Sequence, residues 1–74
     1  YTRQNRGNLE NLAFRLNYEA SNLQIEIERQ EQNIERLPEG WPNYSYFEAL
    51  EMLQDARRDL IETSQRLERV AAYV

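Results

Sequence analysis

From Leu9 onward, apolar residues recur at alternating steps of four and three: Leu9, Ala13, Leu16, Ala20, Leu23, Ile27, Ile34 and Leu37, with Gln30 as the one polar member of the series. Steps of that size return to the same side of an α-helix, and their sustained alternation is the heptad pattern of helices that pack along their length. The pattern predicts a first helix over residues 8–37, with Asn8 as its N-cap just after Gly7. Residues 1–7 carry Arg3 and Arg6 without periodicity and read as a flexible lead-in.

The periodicity breaks at Pro38, Glu39, Gly40, Trp41 and Pro42. Each proline disfavours helical backbone in the residue before it, and Gly40 can supply the positive φ of a tight turn. A loop is therefore expected over 38–44. Ser45 followed by Glu48 has the spacing of a capping box, which predicts a second helix over 45–74. Its expected inner face is Tyr46, Ala49, Leu53, Ala56, Leu60, Thr63, Leu67, Val70 and Val74.

Folding the chain back at the loop aligns these faces rung by rung. Leu37 meets Tyr46, Ile34 meets Ala49, Gln30 meets Leu53, Ile27 meets Ala56 and Leu23 meets Leu60; Ala20 then meets Thr63, Leu16 meets Leu67, Ala13 meets Val70 and Leu9 meets Val74. Flanking residues bring Glu19 near Arg66, Leu12 near Tyr73, and Glu26 near the like-charged Asp59. The expected fold is all-α: an antiparallel two-helix coiled-coil hairpin occupying the whole chain, with arms of roughly 45 Å at 1.5 Å per residue. Two helices cover each other on one side only, so such a hairpin gains little net stability by itself. Completion into a helical bundle, by self-association or by a partner, is the natural expectation.

A second apolar stripe marks where that partner would lie. Phe14, Tyr18 and Ile25 fall on the back of the first helix, and Phe47, Leu50 and Ile61 fall outside the expected inner face of the second. Trp41, Tyr44, Tyr46 and Phe47 gather aromatic side chains at the hairpin tip. They either cap the end over Ile34, Leu37 and Leu50 or offer a binding end, since aromatic residues concentrate energy at interfaces. Gln30 is either a register selector or a solvated rung. The final Ala72, Tyr73 and Val74 are apolar, but Val74 already completes the last rung.

Composition narrows the chemistry. With no His, no Cys and no Lys, the chain lacks the usual proton shuttle, thiolate chemistry and the commonest metal ligand. Glu26, Glu28, Glu31 and Glu35 form an acidic run best read as a solvated helix face, and no hydroxyl has a basic neighbour to activate it. The expectation is therefore no enzyme, no cofactor and no metal. A net charge of -4 works against binding a phosphate backbone, so no nucleic-acid partner is expected. No apolar run approaches the ~20 residues of a membrane span, no signal-peptide pattern is present, and the compartment stays open. Asn43, Tyr44 and Ser45 match the N-glycosylation acceptor pattern, which chance accounts for.

The helix-loop-helix outline is similar to that of small assembling hairpins such as plasmid copy-control proteins, secretion needle subunits and the oligomerisation cores of phage packaging proteins. The acidic balance departs from the RNA binding of the first. The resulting functional expectation is a non-enzymatic structural or assembly protein that forms homo-oligomers. The alternative is a hetero-binding adaptor, inhibitor or co-chaperone that docks a helix of another protein.

Overall fold

A computed structural model describes residues 3–42 and 44–73. Two helices, α1 (Arg3–Glu35) and α2 (Tyr44–Ala71), run antiparallel as a hairpin whose Cα extents are 58 × 14 × 11 Å. The all-α hairpin follows directly from the two long periodic stretches and the paired prolines between them.

The ends differ in detail from the sequence reading. Helix α1 begins at Arg3, within the stretch expected as lead-in, and continues through Gly7 and past the predicted cap Asn8. A glycine inside a helix costs about 1 kcal/mol. It is tolerated here because Arg6 Nε reaches Glu10 Oε1 at 3.0 Å across that turn, and Leu9 and Gly7 are already half-buried. At the other end, Leu37 N–H donates to the Ile34 carbonyl at 3.2 Å, tightening the last turn where helix α1 stops short of its predicted end. Trp41 N–H then donates to the Pro38 carbonyl at 3.1 Å, and Gly40 adopts φ 85°. A positive φ at the third residue of a hydrogen-bonded four-residue turn is the type II arrangement, which glycine adopts without strain. Helix α2 starts at Tyr44, one residue before Ser45, so Ser45 lies in the first turn rather than ahead of it; Asn43 lies outside the described residues.

The inner face of α1 is the one expected: Ala13, Ala20 and Ile27 are buried, and Leu9, Leu16, Leu23, Gln30, Ile34 and Leu37 are half-buried. The inner face of α2 is not. Leu53, Leu60 and Leu67 turn inward as predicted, but the residues between them are Leu50, Arg57, Ser64 and Ala71, while Ala49, Ala56, Thr63 and Val70 stay exposed. Helix α2 is thus rotated about its axis so that each second rung moves on by one residue. Ser64 Oγ donates to Asn17 Oδ1 at 2.9 Å across the two helices, and Gln30 and Leu53 line one groove. The covered face of α2 is thus Leu50, Leu53, Arg57, Leu60, Ser64, Leu67 and Ala71. The rung of Leu9 with Val74 lies outside the described residues.

Burial explains the rotation. Turning Leu50 inward in place of Ala49 removes more apolar surface from water, at roughly 25 cal/mol per Å², and it half-covers Ile61 as well. Far from the loop, the fully buried residues are Ala13, Ala20, Ser64 and Ala71, four small residues of the kind that let backbones approach closely. The cost falls on Arg57, whose Nε is buried without a hydrogen-bond partner.

Candidate functional site

Buried apolar residues among those described are Ala13, Ala20, Ile27 and Ala71 alone, whereas eleven large apolar side chains stand in solvent. Eight of these exposed residues fall into three groups.

The first is the back of α1. Phe14 is 72 % exposed, Tyr18 and Ile25 are also exposed, and with Arg15 and Glu19 the two aromatic residues border a shallow depression on one helix. Their steps of four and seven place them on the side opposite Ala13, Ala20 and Ile27.

The second is the tip. Trp41 is 63 % and Tyr44 77 % exposed, and Phe47 is exposed too. These aromatics do not close the end of the hairpin, so the capping expectation is corrected.

The third was not anticipated. An open apolar groove of about 540 Å³ runs beside α2 toward the loop, lined by Glu26 and Gln30 of α1 and by Ser45, Tyr46, Ala49, Met52 and Leu53 of α2. It exists because the rotation of α2 pushes Ala49 and Met52 to the surface. Their small and unbranched side chains leave a trough that a bulkier pair would fill. Two sequence candidates move the other way: Leu50 and Ile61 are half-buried, and Leu50 falls in the covered series of α2 rather than on an outer stripe. Leu50 is therefore withdrawn as a surface anchor. Met52, Ala49 and Ala56 are the residues the sequence reading missed. The available signal was that Ala49, Ala56, Thr63 and Val70 share a seven-residue spacing with Leu50, Arg57, Ser64 and Ala71, so either series could face α1.

Polar side chains near the groove are engaged along their own helix. Glu26 accepts from Arg29 Nη1 at 2.9 Å and from Gln30 Nε2 at 3.0 Å, and Glu28 accepts from Gln24 Nε2 at 3.3 Å. Gln30 is half-buried and thus has one hydrogen-bond partner on its own helix. The described ion pairs, Arg6 with Glu10, Arg29 with Glu26 and Arg58 with Asp55, all lie within one helix, and Glu19 and Arg66 form none; Tyr73 is 90 % exposed.

Such a surface can bury apolar side chains of another helix; its polar groups are already spent on local bonds. Among the described residues, no three acidic side chains stand close enough to share a metal ion, and no helix is long and apolar enough to cross a membrane. The glycosylation pattern at Asn43 falls outside the described residues. Comparison with family models, with curated proteins and with solved structures returns no match.

Proposed function

We propose that this chain is a non-enzymatic assembly hairpin that completes a helical bundle by associating with further copies of itself. The observation that carries the reading is the imbalance between a thin interior and a broad apolar exterior: Ile27 is the one large side chain among the buried apolar residues, while Phe14, Tyr18, Ile25 and Met52 lie open on helical faces. Burying one such side chain contributes about 1.5–3 kcal/mol, so covering a few of them rivals the whole stability of a small domain. Association then supplies what the hairpin lacks, and folding and assembly become linked by concentration.

Sedimentation equilibrium of the chain over a hundredfold concentration range tests this. The expected result is a mass that rises above the 8.9 kDa of one chain, with helicity and melting temperature rising in step. A constant mass of one chain throughout would refute it.

A second reading has its own support. The cluster of Trp41, Tyr44 and Phe47 at one end of a long rod suits end-on docking to a different protein. If the tip is that site, Trp41→Ala leaves self-association unchanged while weakening capture of the docked protein; a variant that loses self-association instead would assign the tip to the homo-oligomer.

A further inference from the structure

Helix α2 carries a second complete heptad series, all of it exposed. Ala49, Met52, Ala56, Thr63 and Val70 lie at steps of three and four with Asp59 and Arg66, which hold the two remaining places, and Tyr73 follows just past the end of α2. At 3.6 residues per turn this stripe lies about 100° around α2 from the face that packs on α1. That is close to the angle at which one helix of a four-helix bundle meets two neighbours. The groove beside Tyr46, Ala49, Met52 and Leu53 is the loop-proximal end of the same stripe.

The charges identify the occupant. Asp59 and Arg66 are opposite in sign, flank the middle of the stripe, and have no ion pair among the described residues, whereas Asp55 and Arg58 on the neighbouring surface pair with each other at 2.8 Å. A helix laid antiparallel on a copy of itself can bring the two charges near each other. Met52 then faces Val70 of the second copy, Ala56 faces the stem of Arg66, and Asp59 faces Thr63. In that arrangement Asp59 lies about 4.5 Å along the axis from Arg66 of the second copy, within reach of an ion pair, and the symmetry makes the pair twice. A parallel pairing would set Asp59 on Asp59 and Arg66 on Arg66. We infer that the chain dimerises through this stripe, with the two α2 helices antiparallel about a twofold axis between Asp59 and Thr63. This inference rests on the self-association proposed above and assigns its face and direction.

The chain has no cysteine, so cross-linking can be read cleanly. Chains carrying Met52→Cys and chains carrying Val70→Cys are oxidised separately and mixed, alongside sedimentation of the wild type and of Arg66→Asp, Asp59→Arg and the double exchange. The expected result is a disulfide-linked dimer in the mixture and none in either sample alone. Each single reversal should weaken the dimer about three- to thirtyfold, from two like-charge contacts of tenths to one kcal/mol each, and the double exchange should restore it. Glu31→Gln, on the exposed surface of α1, should leave the dimer unchanged. A wild type that dimerises but shows no mixed cross-link and no rescue overturns the inference alone, as does cross-linking of Met52→Cys with itself, which would mark a parallel pair. A wild type that stays monomeric overturns the self-association reading as well.

Discussion

Arg57 is the residue at which the rotated register is most exposed to test. It lies on the covered face of α2, between Leu53 and Leu60, and its Nε is buried without a hydrogen-bond partner. A buried donor left unsatisfied costs about 1–3 kcal/mol, and the guanidinium must also shed water to let its stem pack. Methionine has nearly the same length and flexibility, so Arg57→Met keeps the packing of the stem and removes the orphaned donor. Stability should rise by about 1–2 kcal/mol, which for a chain of 74 residues corresponds to roughly 4–16 °C in melting temperature. The adjacent Arg58 is the control: it is exposed and ion-paired with Asp55 at 2.8 Å, so Arg58→Met should change stability by no more than about 0.5 kcal/mol. Urea unfolding followed by circular dichroism, at one fixed protein concentration, measures both. A loss of stability in Arg57→Met exceeding that in Arg58→Met would refute the placement of Arg57 on the inner face.

Three further outcomes follow from particular side chains. Ser64 is 1 % exposed and donates to Asn17 across the helices, so Ser64→Ala should cost about 0.5–1.5 kcal/mol, while Ser64→Leu should cost about 1–3 kcal/mol by forcing apart the small-residue rungs, both read in the same urea titration. Gly7 is helical, and nothing lies within 4 Å of the place an added methyl group would take, so Gly7→Ala should stabilise α1 by about 0.5–1 kcal/mol, visible as higher ellipticity and a higher melting temperature. Gly40 also has open space around it but holds φ 85°, so Gly40→Ala should cost about 1–2 kcal/mol in the urea titration despite the absence of any clash.

The inner face of α1 was legible because Ala, Leu and Ile hold every place but one across Leu9 to Leu37, leaving a single phase for the helix. The turn was legible for the same reason: two prolines and a glycine permit few other backbones. On α2 the pattern was degenerate. Leu53, Leu60 and Leu67 belong equally to a face with Ala49, Ala56 and Thr63 or to one with Leu50, Arg57 and Ser64, and reading polarity alone favours the first. What decides between them is the area of Leu50, the close approach that small residues such as Ser64 and Ala20 allow, and a hydrogen bond to Asn17 from 47 residues away. None of these is a property of a local window. The groove beside Met52 was hidden by the same ambiguity, since it is made of the residues that the other phase would have buried. The start of α1 was misread for a different reason: Gly7 next to Asn8 has the form of a helix boundary, but the ion pair between Arg6 and Glu10 carries the helix through it.

The most direct test of the hairpin and its register is the set of nuclear Overhauser contacts from the Ala20 methyl group, measured in labelled chain diluted with unlabelled chain so that only contacts within one molecule are seen. The result expected is a contact to the β-protons of Ser64 and none to the methyl of Thr63. A contact to Thr63 with none to Ser64 would contradict the rotation of α2, and contact to neither would contradict the hairpin itself.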